Sequence, residues 1–151
     1  MKKLKIVKLP NPVLHEVSKP VDSVDNRVRK LMVDMLDLMY ESKGIGLAAV
    51  QVGVLERVIV VDVWQDGKNE PLMMANPEIV FVSEDCADME EGCLSVPSKT
   101  INISRPRQVS VKYVDFYNKS QILHADELLA TCLQHEIDHL NGITIVDKQV
   151  S

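Results

Sequence analysis

Two histidines four residues apart, in the run His135-Glu136-Ile137-Asp138-His139, carry the sharpest chemical signal in the sequence. On a helix, positions i and i+4 share a face, so both imidazoles reach one metal ion. Glu136 follows the first of them, where it reaches a metal-held water without being a ligand itself. A hydrolytic metal centre takes three protein ligands and keeps one position open. The third must come from elsewhere, since downstream of His139 the sole acidic residue is Asp147. Upstream the outstanding segment is Glu90-Glu91-Gly92-Cys93-Leu94-Ser95-Val96-Pro97. Cys93, after a glycine in a loop-like stretch, reads as an accessible thiolate ligand or as a buried small hydrophobe. A nucleophilic Cys–His pair is a third option, but it needs a histidine free of metal. Cys86 and Cys132 are expected to be buried and structural.

A further segment, Gly44-Ile45-Gly46-Leu47-Ala48-Ala49-Val50-Gln51-Val52-Gly53, is small and glycine-rich. It lacks the third glycine of a dinucleotide fingerprint and the Lys-Ser/Thr of a phosphate loop. Glycines also allow close backbone approach, which suits a peptide lying against a strand edge. Gln51 behind them either donates its amide to a developing oxyanion or closes a tight turn.

These residues need elements to hold them. Asp126 is a plausible N-cap for a helix running to Leu140, with Asn141-Gly142 tolerant of a left-handed helix end. Leu128 and Cys132 share the stripe of His135 and His139, so the histidines sit at the edge of a buried face. A second helix is expected from Asn26 to Tyr40, capped by Asp25, because Val28, Leu31, Met32, Met35, Leu36 and Met39 recur at helical spacing. These methionines read as core filling. Arg57 to Val63 is a continuous β-branched run, expected as a well-buried strand. Leu72 to Val82 reads as one or two strands broken at Pro77. Gln108 to Phe116, a turn at Asn118-Lys119, and Gln121 to His124 read as a hairpin. Lys8 to Pro20 carries three prolines and reads as an extended, turn-rich arm. Helices bracket a strand-rich middle, which gives an α+β class with mainly antiparallel pairing.

Composition fits one such domain over residues 1–151. Hydrophobic residues make up 46% and charged residues 26%, within the globular range, so disorder, collagen and coiled coil are excluded. The net charge of −5 argues against a broad nucleic-acid footprint. No apolar run reaches the ~18 residues of a membrane span. The basic Met1-Lys2-Lys3-Leu4-Lys5 start leads into no apolar stretch, so no signal peptide and an intracellular protein are expected. Three sparse cysteines do not make a disulfide framework.

Taken together, Gly44-Ile45-Gly46-Leu47-Ala48-Ala49-Val50-Gln51, Glu91-Gly92-Cys93-Leu94-Ser95 and Gln134-His135-Glu136-Ile137-Asp138-His139 resemble, in order and spacing, the three motifs of peptide deformylases. Leu9-Pro10-Asn11-Pro12-Val13-Leu14 and the Arg57–Asp62 strand are similar to the same family. The resemblance runs from about Ile6 to Val146. It implies antiparallel sheets around a central helix that carries the H-E-x-x-H pair. It implies removal of formate from the formyl-methionine that starts a nascent chain. It implies one divalent metal, Fe²⁺ natively, replaceable by Zn²⁺, Ni²⁺ or Co²⁺. Carried over, the ligands are Cys93, His135 and His139; Gln51 and the Leu94 amide bind the formyl oxygen; Glu136 handles the proton. Ile45, Gly46 and Gly92 are expected along the substrate. Leu128 and Cys132 are expected to wall the methionine pocket. The partners implied are a formyl-methionyl peptide and the ribosome, for a monomer in the bacterial cytoplasm, or in the host cytoplasm if phage-borne.

Three features depart from the common pattern. Thr100 lies near where many relatives carry an arginine that holds the substrate backbone. Glu127 stands where many have glycine. The chain stops soon after the histidine helix, where many bacterial relatives continue into another helix. A zinc endoprotease is the rival enzyme, and it would need a well-placed third His or Glu. A silent peptide-binding relative is the rival non-enzyme, and it would be expected to lose Glu136, Gln51 or a ligand.

Overall fold

The computed structural model describes residues 4–64 and 67–148. Residues 1–3 of the basic start lie outside that range. The elements are, in chain order, α1 (Asn26–Glu41), β1 (Gly46–Ala48), β2 (Val58–Val61), β3 (Leu72–Val82), β4 (Cys86–Cys93), β5 (Val96–Pro106), β6 (Gln108–Val114), β7 (Ser120–Asp126) and α2 (Glu127–Leu140). Single 3-10 turns occupy Pro12–His15 in the arm and Ala49–Val52 after β1. The class is α+β, with every ladder between these strands antiparallel.

One sheet has the order β1-β2-β3-β6-β7; β4 and β5 form a separate hairpin. The β-branched run of β2 explains why two helices flank the larger sheet. Ile59 and Val61 pack with Ala130, Leu133, Ile137 and Leu140 of α2. Val58 and Val60 pack with Val28, Met32, Met35 and Met39 of α1. A strand buried on both faces has no reason to alternate with polar residues. Asp25 caps α1 by accepting the Val28 amide at 3.0 Å, as its position suggested.

Four expectations change. Pro77 does not break its strand: β3 is continuous, with its pairing to β6 shifted between Ala75 and Glu78 and Asn76 at φ 50°. The Asn76 side chain bonds both the amide and the carbonyl of Val21, which ties down that irregularity. The stretch around Cys93 is not a loop but the end of a long hairpin. Cys86 is exposed at the start of that hairpin, not buried. Asp126 does precede α2, yet its side chain makes no capping bond. Glu127 after it has φ 51°, a left-handed conformation unfavourable for any residue with a Cβ.

Candidate active site

Helix α2 brings His135 and His139 onto one face, with their Nε2 atoms 3.3 Å apart. Cys93 meets them from the hairpin, its Sγ 3.3 Å from His139 Nε2. The pairing of β4 with β5 slips between Gly92 and Cys93, and such a bulge re-aims a side chain. The three donor atoms all lie within 4.8 Å of one another. Two buried imidazoles and a half-buried thiol converging on one point make a donor set suited to Zn²⁺ or Fe²⁺.

Behind this triad lies a buried ionic chain. Arg105 of β5, 5% exposed, donates to both Glu91 oxygens at 2.6 and 3.0 Å and to Asp138 at 2.8 Å. Glu91 Oε1 sits 3.0 Å from His135 Nδ1, so a proton on Nδ1 leaves Nε2 free to face Cys93 and His139. Burial opposes the Glu91 charge, but the hydrogen bonds from His135 and Arg105 outweigh it and hold that carboxyl below its ordinary value. Burial likewise opposes charge on His135, yet Glu136, Cys93 and Glu91 outweigh it and raise that imidazole to about 10. His139 goes the other way, to about 3, through burial and the neighbouring His135. Its Nδ1 is buried without a hydrogen-bond partner.

Glu136 is 4% exposed, with Oε1 likewise unpartnered. Its Oε2 is 3.9 Å from His135 Nε2, close to the donor triad but outside it. Burial pushes its carboxyl up to about 7. Gly46 is a true close approach: a Cβ there would stand 2.5 Å from Glu136 Oε2 and 2.8 Å from Cys132 Sγ. Burial, reinforced by the Glu136 charge, raises the Cys132 thiol far above its ordinary value. It stays protonated and points to the Ile45 carbonyl at 3.6 Å.

Gln51 is held in a fixed sense. Its Oε1 accepts the Ala48 amide at 2.9 Å, so its Nε2 donates the other way, to Ser95 Oγ at 3.1 Å and towards Cys93 Sγ at 3.5 Å. The N-terminal arm laces these parts together. The Val7 amide donates to Gln51 O, Ser95 Oγ donates to Val7 O, and the Leu9 amide donates to Ser95 O. Farther along, the Ser18 amide donates to Leu140 O at the end of α2, and Arg57 donates to the same carbonyl.

All of this opens on one cleft of about 480 Å³. Cys93, His135, Glu136 and Gln51 line its floor, and His139 is fully buried beneath it. Ile45, Gly46, Gly92 and Leu94 border it, with Leu128 and Cys132 on the α2 side. Ile45 and Leu128 are each 40% exposed at its rim. The structure thus brings Cys93, His135, His139, Glu136, Gln51, Leu94, Ile45, Gly46, Gly92, Leu128 and Cys132 to one cleft, while Cys86, Thr100 and Glu127 lie outside its lining.

The family model for polypeptide deformylase matches residues 3–151 of this chain. The chain belongs to that family. It is 49% identical over 143 residues to the peptide deformylase of Rhizobium meliloti strain 1021, covering 94% of this chain and 82% of the relative. The crystal structure of peptide deformylase from Ehrlichia chaffeensis superposes with a TM-score of 0.95 at 39% identity, covering 99% of this chain and 89% of that one. That of Synechococcus elongatus peptide deformylase in complex with actinonin gives 0.93 at 40% identity, covering 99% and 81%. The chain is therefore an enzyme of the deformylase class, a metal-dependent hydrolase that removes the N-formyl group from nascent peptides.

Some of the deformylase site was not read from the sequence. Arg105 and Asp138 carry no signal in one dimension, because a buried arginine on a strand looks like a solvated one. The alternation of Ile101, Ile103 and Arg105 as inward residues was available, but the arginine disguised it. Ser95 was quoted only as part of a motif. Thr100 is exposed opposite Gly92, and Glu127 occupies the strained left-handed position at the start of α2.

Proposed function

We propose that Cys93, His135 and His139 hold one divalent cation, Fe²⁺ natively with Zn²⁺, Ni²⁺ or Co²⁺ as substitutes, while Glu136 and Gln51 carry the chemistry beside it. The convergence of three donor atoms beside a buried carboxylate that keeps one oxygen without a hydrogen-bond partner supports this reading most directly. A bound cation supplies a Lewis acid that activates water and polarises the formyl carbonyl.

The side chains divide the remaining work. Glu136 takes a proton from the attacking water and returns it to the methionine nitrogen as the C–N bond breaks, which frees formate and the amine. The Gln51 Nε2, pre-oriented by the Ala48 amide, and the Leu94 amide donate to the formyl oxygen as its negative charge grows. Ile45, Gly46 and Gly92 let an extended peptide lie close to the backbone. Leu128 and the protonated Cys132 give the methionine side chain an apolar wall. Acetyl is rejected sterically, because its methyl takes the place of the formyl hydrogen. The enzyme acts as a monomeric single domain in the cytoplasm, with the ribosome as the source of its substrates.

Metal analysis after anaerobic purification, paired with formate release from formyl-Met-Ala-Ser, tests the reading. The native protein should hold about one metal per chain and release formate. Cys93→Ser should fold but hold metal more weakly, since a hydroxyl is a far poorer anionic ligand than a thiolate. Unchanged metal affinity in that variant would remove Cys93 from the ligand set.

A further inference from the structure

The rim of the substrate cleft carries a charge pattern opposite to that of the whole molecule. Lys43 borders it from the α1–β1 connection, next to Gly44, and Lys99 borders it from the β4–β5 hairpin. Both are exposed, and neither engages a hydrogen bond or ion pair through its side chain among the described residues. Lys43 is held at φ 61° with its amide on Tyr40 O at 3.0 Å, so its backbone position is fixed. Glu90 is the exposed carboxylate on this rim. Glu91 and Glu136 are buried in the floor. Thr100, next to Lys99, brings no charge of its own.

We propose that Lys43 and Lys99 select formyl-methionyl peptides with acidic residues at the second and third positions. The inference rests on the deformylase reading of the cleft. With the formyl end at Cys93 and Glu136, an extended chain advances about 3.3 Å per residue. Its second and third residues then leave the floor and pass between the two walls that carry the lysines. The chain as a whole has a charge of −5, which repels acidic peptides at long range. Two unpartnered ammonium groups at the exit reverse that at contact distance, where the peptide side chains sit. Attraction between solvated charges of this kind is modest and screened by salt.

The test compares kcat/KM of the metal-loaded enzyme on formyl-Met-Glu-Glu, formyl-Met-Ala-Ala and formyl-Met-Lys-Lys amides. At low salt the acidic peptide should exceed the basic one by about threefold to tenfold, mostly through KM. At about 0.5 M salt the ratio should approach one. Lys43→Ala/Lys99→Ala should flatten the series, and Lys43→Glu/Lys99→Glu should invert it. Thermal melting of each variant verifies folding. Equal rates on the three peptides at low salt would overturn the proposal, as would an acidic preference that survives in the double glutamate variant. A loss in both double variants that is equal for all three peptides would overturn it too, because the lysines would then not discriminate. Absence of formate from every peptide would instead count against the deformylase reading.

Discussion

The two helices flank one sheet, yet they are built for opposite tasks. On its inner face α1 buries Val28, Met32, Met35 and Met39, all apolar. On its inner face α2 buries Gln134, His135, Glu136 and His139 among its alanine and leucines. α1 begins with a made capping bond from Asp25; α2 begins with an unbonded Asp126 and a left-handed Glu127. Burying apolar side chains stabilises by about 1.5–3 kcal/mol each. Burying titratable ones costs free energy unless partners compensate, and here Glu91 and Arg105 do part of that work. One helix holds the molecule together, and the other is held together by the rest of the molecule.

The sharpest way to break this contrast is Glu136→Ala on α2. Turnover should fall by up to about 10⁴-fold, the range for a lost general acid–base, with metal content retained. Loss of metal would show that Glu136 is a ligand after all. The counterpart on α1 is Met35→Ala, which should lower stability by about 2–5 kcal/mol through lost burial and a residual cavity. At temperatures where it stays folded, kcat should be close to native; a large drop in kcat would mean that α1 also tunes the site. Gln51→Ala lies between the helices and should lower kcat by about 10²–10³ with little change in KM. If it instead lowers the melting temperature with activity per folded molecule preserved, Gln51 serves the turn and not the oxyanion. The smallest effect is expected from Glu127→Gly, which relieves the left-handed strain and should stabilise by about 1 kcal/mol. Urea denaturation of the two proteins side by side would expose a wrong sign.

Much of this was legible in the sequence, and the reason differs by residue. The His135/His139 spacing survives because a helix keeps i and i+4 together whatever surrounds it. α1 was legible to within a residue because its apolar period and its Asp25 cap agree. β2 was legible because a strand buried on both faces is apolar throughout. The β4–β5 hairpin was not, since its inward positions include Glu91 and Arg105, whose pairing exists only in three dimensions. For the same reason Cys93 alone stayed ambiguous between ligand and core. Its role depends on atoms contributed by an element far along the chain.

The arm has a consequence for how the site is held together. Val7, Leu9 and Ser18 bond in succession to Gln51, to Ser95 and to Leu140. Those three partners stand beside or within the three segments that carry the chemistry. Gly142 completes the fastening, because a Cβ there would fall 2.5 Å from His15 O. The first stretch of chain therefore acts as a lace through three eyelets. When it slackens, Gln51, the hairpin and the end of α2 lose their common reference at once. Amide hydrogen exchange at Val7, Leu9 and Ser18 should then share one opening event.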